Sequence, residues 1–324
     1  MDEKVIYHYL KQFSKLRRDY KFGGAPHKPI LLLAIIQLIK KEEINSNFIE
    51  ITPELVLEFK EIWSKLVETP HLCNFSLPFF HLKSEPFWKL ISKNGIEIPT
   101  TSSNSIKSLS SLQENLSYAQ LDYELFHLLQ DEEIRLIFTQ ALLDQYFEST
   151  KNNFYLSNEI DLFTQLENQI LTENKNEYSQ RIEILKNKLS KEEFQEEIFV
   201  RGGVFKREIP KIYRYQCAIS EMKIEATRNI QMIDACHIVP FAFSKNDTIT
   251  NGISLSPNLH RAFDRGLITI NNDYTVVVTS KIIESKSAYS ISQFEGKKIL
   301  LPQNSEYYPD PENLKWHRQE RFIL

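Results

Sequence analysis

The run PILLLAIIQLI, residues 29–39, would give a helix with Gln37 as its only polar side chain. A helix apolar on nearly every side must be enclosed by its surroundings. The run is far shorter than the roughly 20 residues a bilayer needs, and no run of 18 apolar residues occurs in the chain. The segment is therefore expected at the centre of a protein core, with the N-terminal half of the chain packed around it. Immediately before it lies FGGAPHKP, residues 22–29, in which two glycines and two prolines bracket His27 and Lys28. Pro29 suits the first helical position, where its missing N–H would find no partner anyway. The loop is open to two readings. It could be a helix start and nothing more, or it could present His27 and Lys28 at a helix N-terminus, where free N–H groups attract an anion. A nucleotide P-loop is excluded, because no G-x-x-x-x-G-K-[ST] spacing is present.

A chain of 324 residues exceeds one ordinary core, and two domains are expected. Composition is that of a globular protein, and the charged start MDEKVIYHYL is unlike a signal peptide. Cys73, Cys217 and Cys236 lie far apart and form no CxxC, so neither a disulfide framework nor a zinc ribbon is expected. A cytoplasmic location fits, with no membrane partner. The net charge of −4 conceals an asymmetry: residues 1–41 carry +6, 42–121 carry −4, 122–200 carry −10 and 201–324 carry +4. Basic ends around an acidic middle suit a polyanionic partner.

Helical spacing is present in residues 3–17 and 121–148. Another helix opens with Thr52 as N-cap and Pro53 at the first position. SLPFFHLKSEPFWKLI, residues 76–91, suggests short strands or a packed turn, with Phe79, Phe80, Phe87 and Trp88 in the core. Residues 100–120 are Ser/Thr/Asn-rich and suggest a loop. From 159 to 197 the pattern is helical but polar, as in a connecting arm. RGGVFKREI and RYQCAI then begin a new pattern of short β-like runs and turns.

The C-terminal chemistry is concentrated in DACHIVPFAF (234–243), NGISLSPNLHRAFDRG (251–266) and LITINNDYTVVVTS (267–280). Taken singly these residues have ordinary explanations: His237 as a core histidine, Asn251-Gly252 as a turn, Asp264-Arg265 as an ion pair at a helix end. Together they form a set. His260 and Asp264 stand four apart and would share one helix face, a spacing suited to gripping one cation. A histidine on a neighbouring strand and an asparagine complete the parts for phosphodiester hydrolysis. The base activates water while a divalent ion stabilises developing charge.

The order and spacing of His237, Asn251 and His260, with the flanking YQCAIS, HIVP, NGISL and HRAFDRG, resemble the HNH (ββα-metal) endonuclease motif over roughly residues 200–322. The resemblance implies His237 as general base, Asn251 as the middle motif residue and His260 as a metal ligand. Asp234 and Asp264 are the further ligand candidates. Many such sites carry an acid or histidine just before the base, where Cys236 stands here. Asp234 is favoured over Cys236, because Mg²⁺ or Mn²⁺ chemistry wants hard oxygen ligands and a thiolate favours a softer metal. On a regular strand Asp234 and His237 face opposite sides, so both reaching one site requires an irregularity.

KLRRDYKFGGAPHKPILLLAIIQL, ITPELVLEFKEIWSKL and SLPFFHLKSEPFWKLI together resemble the sulfur-binding domain of restriction endonucleases that recognise phosphorothioate-modified DNA. The similarity spans roughly residues 4–160. By this resemblance His27, Lys28, Leu77, Pro78 and His81 line a pocket, with Arg17 and Arg18 on flanking phosphates. Sulfur is larger and a poorer hydrogen-bond acceptor than oxygen, so a site preferring it should offer apolar walls. Oxygen loses more when dehydrated without a donor, and Pro78 has no N–H to give.

The expectation is an α+β protein: a mainly helical DNA-reading domain (1–165), a helical linker (166–200) and a ββα-metal nuclease domain (201–324). The implied activity is that of a type IV restriction endonuclease acting on phosphorothioated double-stranded DNA with Mg²⁺ or Mn²⁺. Two strand cuts imply a homodimer. The alternatives are an HNH enzyme reading another mark, such as methylcytosine, and a DNA-binding sensor with an inactive nuclease domain.

Overall fold

The computed structural model describes residues 3–96, 106, 108–156, 162–224, 232–285 and 287–323. They form two compact units of mixed helix and sheet: residues 1–164 with 188–200, and residues 165–187 with 201–324. The segment 166–200, expected as a linker, is thus divided between the units, which are described separately.

The first unit opens with α1 (Glu3–Phe13) and α2 (His27–Lys40), followed by β1 (Phe48–Ile49) and α3 (Pro53–Leu66). Then come α4 (Ser76–His81), β2 (Trp88–Ser92), α5 (Leu109–Asn115) and β3 (Leu116–Leu121). The helices α6 (Tyr123–Leu128), α7 (Glu132–Tyr146) and α8 (Lys151–Phe154) complete the run. Helix α2 is the centre: Ile30 to Ile36 are at most 2% exposed, and α3, α4 and α7 pack against it. Residues 21–40 are long and apolar enough to be weighed as a membrane span by composition, but this stretch is mostly buried inside the unit. The sheet is antiparallel in the order β1-β3-β2.

Several local expectations change. Helix α2 starts at His27, so Pro29 is its third residue; this is still within the first turn, where its missing N–H is tolerated. Thr52 caps α3 as expected, accepting from the Leu55 N–H at 3.2 Å. The segment 76–91 is a helix followed by a strand. Asn74 Oδ1 accepts from Leu77 N at 3.0 Å and the Glu196 carboxylate accepts from Phe75 N at 3.0 Å, which turns the chain helical around Pro78. Phe79, Phe80, Phe87 and Trp88 are buried as expected. Within 100–120, residues 108–120 hold α5 and most of β3 instead of a loop, while 100–105 and 107 lie outside the described residues. Residues 159–161 also lie outside them.

Three helices follow: α9 (Leu162–Thr172), α10 (Lys175–Lys188) and α11 (Lys191–Ile212). RGGVFKREI belongs to α11 and is helical, not β-like. In the second unit come β4 (Asp234–His237), α12 (Phe241–Ser244), β5 (Gly252–Leu255) and α13 (Pro257–Asp264). The hairpin β6 (Ile268–Ile270) and β7 (Val276–Val278) and the helix α14 (Pro311–Glu320) close the unit. Strands β4 and β5 pair antiparallel, and α13 packs on β4, giving a ββα unit. Gly252 is required there: a Cβ at this position would overlap Ile209 and Phe205 of α11.

Candidate functional site

Strand β4 keeps a regular register from Asp234 opposite Leu255 to His237 opposite Gly252. Alternation therefore puts Asp234 and Cys236 on one face and His237 on the other. No irregularity brings Asp234 and His237 to the same face. Towards α13, Asp234 Oδ2 lies 3.1 Å from His260 Nδ1, and Asp264 Oδ2 lies 3.4 Å from His260 Nε2. Ligand atoms of Cys236, His260 and Asp264 lie within 4.8 Å of one another. Asp234 and Asp264 are about half exposed, which leaves them accessible to water and an ion. Burial pushes the Cys236 thiol pKa well up, and the Asp264 and Asp234 charges push it further. The thiol is thus held in its neutral form beside the Asp264 and Asp234 carboxylates. The two carboxylates approach opposite ring nitrogens of His260, and the ligand atoms that lie mutually close enough for one cation are those of Cys236, His260 and Asp264.

His237 is held on the other face of the strand. Its ring stacks on Phe205 with centroids 4.0 Å apart and planes at 11°. Its Nε2 lies 2.8 Å from Asp247 Oδ1. Asn251 is fully buried, and its side chain is fully engaged. Its Oδ1 accepts from Val239 N at 2.9 Å, and its Nδ2 donates to the Val239 and Asn246 carbonyls, each at 2.9 Å. With no donor left over, Asn251 ties the loop between β4 and β5 together instead of facing solvent.

In the first unit, a cavity of about 430 Å³ is lined by Arg17, Arg18, His27, Lys28, Leu77, Pro78 and His81. The structure therefore brings together all seven residues picked from two distant segments of sequence. Arg18 is steadied by the Tyr146 ring 4.3 Å below its guanidinium and by the Ala25 carbonyl at 3.2 Å. Gly24, at φ 107°, gives way to it, since a Cβ there would stand 3.0 Å from the guanidinium. His27 Nε2 donates to the Leu72 carbonyl at 2.9 Å, and its ring lies 4.7 Å from Trp63. Burial, aided by His71, lowers the His27 pKa to about 4, so it is a neutral wall at pH 7. Lys28 departs from expectation. It is 6% exposed and pairs with Glu85 Oε1 at 2.5 Å and Ser84 Oγ at 2.7 Å. Its charge is met inside the protein, while Arg17, Arg18 and Lys83 supply the basic rim.

Residues 7–158 match the family model of the ScoMcrA-like DNA sulfur-binding domain, and residues 217–271 match the HNH endonuclease model. The chain joins a DNA sulfur-binding domain to an HNH endonuclease domain. A modification-dependent TagI restriction endonuclease is similar at 19% identity over 36% of this chain and 36% of its own, with a TM-score of 0.27. The chain thus spans about a third of that TagI chain. The type IV phosphorothioation-dependent restriction endonuclease ScoMcrA is similar at 12% identity over 78% of this chain and 94% of its own, with a TM-score of 0.35. No curated protein sequence matches.

Three residues of these domains escaped sequence reasoning. Glu85 in the sulfur-binding domain and Phe205 and Asp247 in the HNH domain touch the candidate residues directly. A lone acid beside an aromatic segment, as Glu85 is in KSEPF, was the one available signal. Nothing in VFK or KNDT marks the other two.

Proposed function

We propose that the protein is a restriction endonuclease that binds phosphorothioate-modified double-stranded DNA and hydrolyses its phosphodiester bonds with Mg²⁺ or Mn²⁺. The observation that carries this reading is the cavity of the sulfur-binding domain. Leu77 and Pro78 supply an apolar wall beside neutral His27 and beside the His81 ring, and Arg17 and Arg18 meet the adjoining phosphates. A non-bridging oxygen placed against that wall would lose its water without gaining a donor, whereas sulfur loses less.

At the HNH site, Asp234, His260 and Asp264 would hold the divalent ion, with Cys236 as a neutral thiol beside them. The ion supplies charge stabilisation at the phosphate. His237 stands on the other face of β4 from these ligands but is the strand's last residue, so it would work past the strand's end, taking a proton from water as the water oxygen bonds to phosphorus. The phosphorus–oxygen bond to the leaving strand breaks, and the leaving oxygen takes a proton from solvent. His237 then returns its proton to solvent. Asn251 shapes the loop that follows His237. One such site cuts one strand, so two copies of the chain act on a duplex as a homodimer.

The test compares binding of the full chain to duplexes of one sequence bearing phosphorothioate, methylcytosine or neither, followed by cleavage with and without Mg²⁺. Tight binding of the sulfur duplex alone, with metal-dependent cleavage, is expected. Equal affinity for the sulfur and plain duplexes refutes sulfur reading. Selective binding without cleavage in Mg²⁺ or Mn²⁺ would make the chain a sensor.

A further inference from the structure

We infer that Asp247 is a positioning residue for His237, holding its imidazole in the tautomer and orientation that hydrolysis requires. The inference rests on the reading of His237 as general base. The Asp247 side chain is 2% exposed, and its Oδ1 stands 2.8 Å from His237 Nε2. A carboxylate so buried must be hydrogen-bonded, and its other oxygen takes the Tyr178 hydroxyl at 3.4 Å. An ionised carboxylate only accepts, so His237 Nε2 carries the proton and the lone pair is left on Nδ1. Among the described residues Nδ1 has no protein partner, and the side chain is 19% exposed. Nδ1 is therefore the atom available to take a proton from water.

Packing steadies the ring. Phe205 covers one side at 4.0 Å, and Phe241 flanks the ring at 6.1 Å, with Lys245 Nζ 5.3 Å beyond on the Phe241 ring. Asp247 supplies what packing alone lacks. It selects one tautomer, and it places a negative charge beside the imidazolium that forms as the proton arrives. Tyr178, from α10, fixes the carboxylate in turn.

The test uses full-length D247N, D247A, H237A and the double variant H237A/D247A, with single-turnover cleavage, DNA affinity and thermal melting measured for each. D247N keeps an acceptor for Nε2 but loses the charge, so cleavage should slow about tenfold to 10²-fold, up to the lower end of the roughly 10²–10⁴ that a general base contributes. DNA affinity and melting should stay near wild type. D247A should slow cleavage further, and ¹⁵N shifts of labelled histidine should show His237 leaving the single Nε2–H tautomer. In the H237A background, D247A should cost nothing more, because the two residues act as one unit. Wild-type cleavage by D247N and D247A, with H237A dead, overturns the inference and leaves the base assignment standing. Parallel losses of cleavage, affinity and melting also overturn it, reducing Asp247 to scaffold. Wild-type cleavage by H237A instead overturns the reading of His237 itself.

Discussion

Glu196 should make the protein less stable as pH rises, and Glu196→Gln should abolish that dependence. The carboxyl is 1% exposed; Oε1 accepts from Phe75 N at 3.0 Å, Oε2 has no hydrogen-bond partner among the described residues, and Lys60 Nζ stands 3.9 Å away. Burial raises its pKa from 4.5 to about 7, outweighing the Lys60 charge and the Phe75 N–H, which pull it down. A raised carboxyl pKa means that the folded protein holds its proton more tightly than the unfolded chain. Stability from this group is therefore full below pH 4.5 and is lost as pH climbs from 4.5 through 7. Each unit of displacement is worth about 1.4 kcal/mol, so the loss by pH 8 is about 3 kcal/mol. Gln retains the acceptor for Phe75 and never ionises. Urea unfolding of wild type and E196Q at half-unit steps from pH 4 to 8 should show a stability difference near zero at pH 4 that grows to about 3 kcal/mol in favour of the variant. A difference that stays flat with pH would mean that Glu196 ionises freely in place, against its burial. Because Glu196 caps the start of α4, the same variant should hold Leu77 and Pro78 in the cavity and bind sulfur DNA like wild type.

His27, with its pKa lowered to about 4, should show no titration between pH 5 and 8 by NMR; its contribution to stability should be full above 6.5 and fall as pH drops towards 4, and a midpoint near 6.5 would contradict its burial. Lys28→Ala should cost about 3–5 kcal/mol in urea unfolding by stranding Glu85 and should leave the salt slope of DNA binding unchanged, whereas a slope lower by about one would make Lys28 a phosphate contact. Asp264→Ala and His260→Ala should each reduce cleavage, with partial recovery at higher Mg²⁺ or Mn²⁺, while Cys236→Ser should retain most activity; the reverse pattern would make Cys236 the ligand. Pro78→Ser should erode discrimination between sulfur and oxygen at the DNA backbone, and equal losses for both duplexes would reduce the segment to scaffold.

Much of this protein is determined locally and is legible in its residues. The apolar run 29–39 demanded a central helix, and α2 is one. Thr52-Pro53 marked the start of α3 through a capping bond that spans three residues. His260 and Asp264 had to share a face once 257–264 was helical. Such features depend on spacings of three to five residues, which backbone geometry alone converts into direction. What tertiary structure decided are the pairings across distance. Residues 76–81 became helical with the help of Glu196, which accepts the N–H of Phe75 just before them from 121 positions away. Lys28 lost its outward role because Glu85, 57 positions on, meets its charge inside the core. His237 parted from Asp234 because the strand stayed regular, and it found Phe205 on a helix whose RGGVFKREI segment suggested strand. A buried charge or ring takes whichever partner the packed chain brings to it, and no local period records that choice.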